Sequence, residues 1–315
     1  MPSCHLTDMN EIGRKIADKI IELHGSTDFR IAFLPYKRSM WGCMASVYEE
    51  LKASGVDACC MPIPYVNVGP DGKAEGIDFD KGYEECEDFN NIHVYHPDYV
   101  VIHYQYETSN KVTHMLPWFC AEVLKMQGYK IIYIPYGYLC LHDFIMRPGF
   151  QFVDYLFLNS EAEKDYFLEE WSKVGIDFSE KCFAYGSPKI DAVLKAKAEP
   201  HNGHRTLIVN SLTSVTREGA VRFAKYLMYA KEERDKKHKV IFRPHPLMRQ
   251  AIRAMIPGLM KPYERTIESL REYGVEIDES ADIEKTIAMC DELISDPSSV
   301  IGMWEATGKP YKIIE

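Results

Sequence analysis

No run of 18 apolar residues occurs anywhere in the 315-residue chain, so no segment is built to cross a membrane as a helix. The first 25 residues carry Asp8, Glu11, Asp18 and Glu22, which the apolar stretch of a secretory signal does not tolerate, and the expected location is the cytosol. Nine cysteines, an odd number, are scattered without a repeated CxxC spacing, and only Cys59 and Cys60 adjoin; this excludes a disulfide framework and predicts reduced thiols in the core. There is no surplus of basic charge either. The net charge is −10, with the excess acid in residues 1–205 and a balanced remainder, so no nucleic-acid partner is expected of a chain without a basic stripe. A few well-placed cations can still hold one small phosphate ligand. GxGxxG, Walker A and GxSxG stretches are absent, which removes support for dehydrogenase, P-loop kinase and α/β-hydrolase chemistry. His93, His96 and His103 do not make a metal set: the first two flank Val-Tyr outside any clear helix and the third falls inside an apolar strand. No metal and no cofactor are expected.

What the chain has is ordinary globular composition, 46% hydrophobic and 27% charged, and an alternation of periods. Residues 9–24 place Ile12, Ile16, Ile20 and Leu23 at helical spacing, with Gly25 as a stop. Continuous apolar strands are predicted at residues 30–35, 57–64, 98–104, 129–134, 154–158 and 181–185, with helices at 41–54, 116–127 and 161–173 between them. Residues 66–92 form a turn-rich acidic excursion. Runs of that kind separated by helices predict a parallel sheet covered on both faces. A polar stretch at 195–205 with Pro200 and Gly203 predicts a linker, giving an N-terminal α/β domain over 1–197 and a C-terminal one over 204–315. The second series has strands at 206–210, 239–243, 275–277, 293–294 and 311–315. The fold class read from this pattern is α/β, two Rossmann-like doubly wound domains facing a cleft, where open sheets bind ligands beyond their strand ends.

Four strand ends carry polar residues. In residues 292–310, Leu293 and Ile294 close a buried strand, and Ser295, Asp296, Ser298 and Ser299 then stand where a helix begins, with Pro297 fixing the approach; such a helix start favours phosphate. Arg243-Pro-His245-Pro puts a lasting charge beside a group able to donate to phosphate or take a proton near neutral pH. Asn210 and Ser211, with Thr213 and Ser214, follow the first strand of the second domain. Gly186-Ser-Pro-Lys189-Ile-Asp191 follows a strand of the first, where Lys189 can guide an anion. From local chemistry alone each of these is equally a turn or a helix cap.

Taken together, Ile134-Pro-Tyr136-Gly137, Tyr185-Gly186-Ser-Pro-Lys189-Ile-Asp191, Arg243-Pro-His245-Pro246 and Ile294-Ser-Asp-Pro-Ser298-Ser299 with Gly308-Lys-Pro310 resemble the CDP-glycerol glycerophosphotransferase family of teichoic-acid synthesis. The resemblance runs from about residue 130 to the C-terminus and leaves the first hundred residues matched in general architecture only. It implies a GT-B-type fold and a transferase that moves glycerol phosphate from a CDP-linked donor, with CDP-glycerol favoured, to a hydroxyl of a polyol-phosphate or glycan acceptor in the cell envelope, a setting compatible with peripheral membrane contact. It implies that His245 and Arg243 serve catalysis at the donor phosphates, that Ser298 and Ser299 hold them, and that Asn210, Ser211, Gly186, Lys189, Tyr136 and Gly137 contact substrate. Two departures stand out. Tyr136 occupies the place of a family histidine that is a candidate base, and an unperturbed tyrosine, with a pKa of about 10, is a poor one. Met303 stands where the family often has an acidic residue, with Glu305 on a different helical face. The departures allow another base, such as His142 or Asp143, a different donor, as in nucleotide-sugar glycosyltransferases or epimerases of the same fold, or a binding protein without catalysis. GT-B-type enzymes usually add a C-terminal helix, which makes a fragment or a minimal member the expectation for this chain.

Overall fold

The computed structural model of the protein describes residues 10–83, 85–104, 106–137, 142–196 and 200–314. The chain divides into two compact units, the first Met1–Val66 with Ile77–Lys195 and the second Asn67–Gly76 with Ala196–Glu315.

In unit 1 the elements run α1 (Glu11–His24), β1 (Arg30–Phe33), α2 (Ala45–Ala53), β2 (Asp57–Cys60), then β3 (Tyr65–Val68) and β4 (Ala74–Asp78), whose residues 67–76 fall in the second unit, α3 (Ile92–Tyr95), β5 (Tyr99–Ile102), β6 (Thr113–Met115), α4 (Ala121–Met126), β7 (Lys130–Tyr133), α5 (His142–Ile145), β8 (Tyr155–Leu158), α6 (Glu161–Ser172), β9 (Cys182–Ala184) and α7 (Pro188–Lys195); β4, β3 and β6 form a separate three-stranded sheet. Six strands form one sheet in the order β2-β1-β5-β7-β8-β9, every neighbouring pair parallel. Alternate residues of each strand feed separate cores. Ala32, Val100, Ile131 and Leu156 pack into one, and Ile31, Val101, Ile132 and Phe157 into the other, so a continuous apolar run is what a doubly covered strand requires. All six strands end at one rim.

Two prolines account for the early stop of β2. Pro62 and Pro64 follow Cys60, and neither can donate to a ladder. The helix expected over residues 41–54 begins later, because Met44, at φ −125°, breaks a short 3₁₀ turn from α2. Helix α6 starts with a reciprocal cap: Ser160 Oγ accepts from the Glu163 N–H at 3.1 Å, and the Glu163 carboxylate accepts from the Asn159 N–H at 2.7 Å. Helix α1 has no cap from Asn10. Asp191, far away on α7, does that work instead, accepting from the N–H groups of Gly13 at 2.7 Å and Ile12 at 3.2 Å and from Ser46 Oγ at 2.7 Å. One buried carboxylate thus joins α1, α2 and α7. A side chain at Gly13 would meet Ser46 Oγ at 2.5 Å, so glycine is what lets α1 and α2 approach.

Unit 2 contains β10 (Arg205–Val209), α8 (Gly219–Asp235), β11 (Lys239–Arg243), α9 (Met248–Met255), α10 (Met260–Glu272), β12 (Glu276–Ile277), α11 (Ile283–Met289), β13 (Glu292–Ser295), α12 (Val300–Glu305) and β14 (Tyr311–Ile313). Its sheet, in the order β12-β11-β10-β13-β14, is parallel throughout. Residues 67–76, from the excursion after β2, belong to this unit, where Gln250 Nε2 donates to Asn67 Oδ1 at 2.5 Å and Arg253 pairs with Glu75. The Gly308-Lys-Pro310 turn serves packing. Lys309 Nζ donates to the carbonyls of Ile287, Ala288 and Cys290 at 3.1, 3.1 and 2.7 Å, closing the end of α11. Fully buried Trp304 donates through its indole to the carbonyls of Lys309 and Pro310 at 3.1 and 3.0 Å.

All cysteines among the described residues are free. No helix among them is long and apolar enough to cross a membrane.

Substituting Asp191 with Ala leaves two helix N–H groups and the Ser46 hydroxyl without their acceptor, and is expected to cost about 2–4 kcal/mol. Urea unfolding of the full chain measures it; an unchanged midpoint would show that α1 is held by apolar contacts alone.

Candidate functional site

The register of unit 2 aligns its strand ends. Val209 lies opposite Arg243 on one side and Ser295 on the other, so Ser211, His245 and Pro297, each two residues further on, leave β10, β11 and β13 at one level. The rim they make is tied by two buried side chains. Asn210, fully buried, donates its amide N–H to Ser214 Oγ at 3.3 Å and accepts from the His245 backbone N–H at 3.3 Å, stapling β10 to β11. Asp296, 0% exposed, accepts from the Ser211 backbone N–H at 3.1 Å, from Arg222 at 3.1 Å and from the Tyr226 hydroxyl, bringing β13, β10 and α8 together. Burial, and after it the bond to Asp296, pushes the Tyr226 phenol well up, so it stays a donor.

These contacts revise several sequence expectations. Asn210 is a staple with both ends of its amide engaged, not a group facing ligand. Arg243 is 3% exposed, and its guanidinium is spent on Asp278 at 2.5 Å and on the Ser280 hydroxyl and carbonyl at 3.0 and 2.7 Å; it braces the strand end and does not present charge to the rim. Burial works to raise the Asp278 carboxyl, but Ser280, Thr286 and Arg243 together hold it below the usual range. A helix does begin where expected, α12, but it has six residues, and Ser299 at its N-cap has helical dihedrals and makes no capping bond. Ser298 is half-buried, its hydroxyl 3.2 Å from that of Ser295, while Ser299 is exposed. Glu305 accepts from the Tyr311 hydroxyl at 2.7 Å and does not replace the acid expected at Met303, which is buried.

His245 remains at the rim, half-buried. The Leu247 backbone N–H donates to its Nδ1 at 3.1 Å, which places the proton of the neutral ring on Nε2. In the loop after β10, Ser211 is 6% exposed, with its hydroxyl 2.6 Å from Thr213 Oγ1 and 3.4 Å from Asp296, and it accepts from the Thr213 N–H at 3.3 Å. Beside β12 opens a pocket of about 230 Å³ whose lining mixes the carboxylates of Glu276, Asp278 and Asp282 with the cation of Lys285 and the hydroxyls of Ser280 and Thr286.

Unit 1 has a rim of its own. His103 follows β5, Tyr36 follows β1, Tyr136 follows β7, and Lys189 opens α7. His103 is 0% exposed, stacks on Tyr36 with ring centroids 5.2 Å apart, and meets Tyr136 edge-on at 5.9 Å. The Tyr36 backbone N–H donates to its Nε2 at 3.4 Å, and Nδ1 has no partner among the described residues. Burial, and then the charge of Lys189, pushes the ring down to about 3, with its own backbone carbonyl acting weakly the other way. Lys189 is 9% exposed, with Nζ 5.9 Å from the Tyr136 ring centroid. Tyr136 itself is pushed well up by burial, then by the neighbouring tyrosines, which removes it further from acting as a base. Gly186 needs its left-handed φ of 108°, with Ile12 3.0 Å from where a Cβ would sit; it shapes the turn. Gly137 accepts through its carbonyl from Asn159 at 3.2 Å. His142 is an exposed residue with Nδ1 3.0 Å from Glu170, and Asp143 is exposed.

The sequence reading missed Arg222 and Tyr226, although an arginine and a tyrosine one helical turn apart, on the helix after a polar strand end, were a signal. It set His103 aside as a strand residue, because its place one step past the strand depends on where β5 ends.

No protein-family model matches the chain, and no curated protein sequence matches it. Among solved structures, the UDP-GlcNAc 2-epimerase of Methanocaldococcus jannaschii, in complex with UDP-GlcNAc and UDP, superposes with a TM-score of 0.60 at 12% identity over 90% of this chain and 83% of its own. The Neisseria meningitidis UDP-GlcNAc 2-epimerase bound to UDP-GlcNAc gives 0.57 at 15% identity, covering 91% and 82%. The wall teichoic acid polymerase TagF gives 0.51 at 13% identity, covering 97% and 78%. The fold is of the GT-B type, with two Rossmann-like units. At these identities the likeness is one of fold, and a fold does not fix chemistry.

Two measurements check the site's physics. Asp296→Ala removes the acceptor shared by Arg222, Tyr226 and Ser211 and is expected to cost about 3–5 kcal/mol in urea unfolding; a loss below 1 kcal/mol would deny Asp296 its part in the rim. His103 titrates near 6.5 when unfolded and near 3 when folded. Its contribution is therefore present above pH 6.5 and lost as pH falls towards 3, with a slope of up to about 1.4 kcal/mol per pH unit. In His103→Phe that part of the slope should vanish.

Proposed function

We propose that the chain is a transferase that takes a nucleotide-diphosphate-activated donor, CDP-glycerol by preference, and passes glycerol phosphate to a hydroxyl acceptor of the polyol-phosphate or glycan class. The observation that carries the reading is the alignment of Ser211, His245 and the Ser298 segment at one rim of unit 2, on three adjacent parallel strands, the edge at which open α/β sheets bind ligands. The motif resemblance across residues 130–315 and the likeness in fold to TagF, at 13% identity, support the same reading.

In this scheme the acceptor oxygen attacks the phosphorus bearing glycerol. A new O–P bond forms, the bond to the bridging oxygen breaks, and cytidine monophosphate departs with the electron pair while the acceptor hydroxyl loses its proton. His245, protonated on Nε2, donates to the oxygen that gathers charge on the departing group. Ser298 and Ser211 hold phosphate oxygens through their hydroxyls. Arg243 is a positioning residue, acting through the strand end it braces.

The higher TM-scores of the two epimerases, 0.60 and 0.57, favour a second reading, a UDP-sugar epimerase or glycosyltransferase. Calorimetry with CDP-glycerol, CDP, UDP-GlcNAc and UDP separates the two, followed by assays for CMP release with glycerol-phosphate acceptors. The first reading expects CDP-linked ligands to bind tightest and CMP to appear. His245→Ala should weaken donor binding or turnover about 10–100-fold, with Ser298→Ala smaller in effect. Preference for UDP-linked ligands would transfer the assignment to the second reading, and binding without turnover of either kind would leave a nucleotide-binding protein.

A further inference from the structure

One polar atom on the rim of unit 1, Nδ1 of His103, is buried without a hydrogen-bond partner, and a largely buried lysine, Lys189, opens α7 on the same rim. Because the Tyr36 N–H donates to Nε2 of His103, that nitrogen is the acceptor and the neutral ring carries its proton on Nδ1. Nδ1 is then a buried N–H donor that no acceptor meets in hydrogen-bond geometry, its own backbone carbonyl lying near enough only to act on the ring. An unsatisfied buried donor of this kind costs on the order of 1–3 kcal/mol, and few persist without a function or a bound partner. Lys189, nine-tenths buried, has no carboxylate within ion-pair distance and no hydrogen-bond acceptor among the described residues, its recorded neighbour being the Tyr136 ring. Both face the same ring: Lys189 Nζ and the His103 ring centroid each lie 5.9 Å from the Tyr136 centroid, the charge of Lys189 acts on the imidazole, and Tyr36 and Tyr104 pack against the other sides of His103.

Donor and cation both call for an anionic oxygen. A phosphate offers acceptors in several directions at once, so groups converging from β5 and α7 can share it, and an ammonium serves phosphate well as a point charge. We infer that the carboxyl rim of unit 1 binds a phosphomonoester between Nδ1–H of His103 and the ammonium of Lys189, with Tyr136 as one wall. His103 is here a hydrogen-bond donor, not a base. The inference goes beyond the donor reading and rests on unit 1 alone, so its failure leaves the nucleotide panel, which reads unit 2, unaffected.

The test uses the full chain with ¹⁵N-labelled histidine. The His103 Nδ1–H resonance is followed while inorganic phosphate, sn-glycerol 3-phosphate and acetate are titrated in at matched ionic strength. Expected is a saturable shift with the two phosphates, absent with acetate, and at least a 10-fold loss of affinity in Lys189→Met, whose fold is checked by circular dichroism. A resonance that none of the three moves would mean that a buried water satisfies Nδ1 and would overturn the site. An equal response to acetate would overturn the phosphate class, and an unchanged affinity in Lys189→Met would overturn the role of Lys189. The wild-type titration decides the first two outcomes even where the variant fails to fold.

Discussion

A single buried carboxylate organises unit 2. Parallel strands end with their carbonyls and following N–H groups open, and nothing in the ladder itself decides how the loops beyond them lie. Asp296 decides it, because a charge 0% exposed must collect donors from whatever surrounds it or unfold the region. It takes two from Ser211 in the β10 loop and two from α8, and in doing so brings Ser211 and the Ser298 segment to one edge. Asn210 extends the tie to β11 and so to His245. The rim that can meet a ligand is the surface of a polar core whose members are themselves inaccessible.

Unit 1 repeats the arrangement with other residues. Asp191 collects two helix N–H groups and a hydroxyl, and burial raises its carboxyl while Ser46 and the helix N–H groups pull it back. In both units the motif that looked like a ligand-binding stretch has one residue that is structural and a neighbour that lies at the rim. Lys189 is two residues from Asp191, and Ser298 is two residues from Asp296. Short polar stretches mix the two roles because the carboxylate that fixes a loop has to sit within a turn of the side chain that loop presents.

That mixture explains what was legible in the sequence. The alternation of apolar runs and helical periods located the strands of the two parallel sheets to within a few residues, since doubly covered strands such as residues 99–102 admit little else, while the small sheet β4-β3-β6 went unread, two of its strands lying at or in the polar excursion. Register was not legible, and it alone shows that Ser211 and His245 leave their strands at the same level. Nor was the direction of a side chain. Arg243 reads as a phosphate-facing cation until Asp278, 35 residues on, is known to lie beside it, and Asn210 reads as exposed until its two partners are known. His103 read as filler because its position relative to the end of β5 depends on a boundary that a run of apolar residues does not mark.

The titratable groups of unit 1's rim all lean one way. Burial pushes Tyr36 up to about 12 and Tyr136 well above its ordinary range, so both phenols stay protonated, and His103 stays neutral with its proton on the unpartnered nitrogen. Each of these groups can donate a hydrogen bond and none is poised to take a proton near neutral pH. A rim of donors beside a cation attracts negative oxygen and orients it; it does not by itself activate a hydroxyl. If the acceptor carries a phosphate, the physical role open to this surface is to hold that phosphate, and the proton of the attacking hydroxyl must then pass to a group elsewhere or to a phosphate oxygen of the substrate, whose own pKa lies near neutrality. Under the proposed transfer, a tyrosine at residue 136 is compatible with chemistry that positions an already anionic acceptor, and charge would be stabilised chiefly at the departing nucleotide.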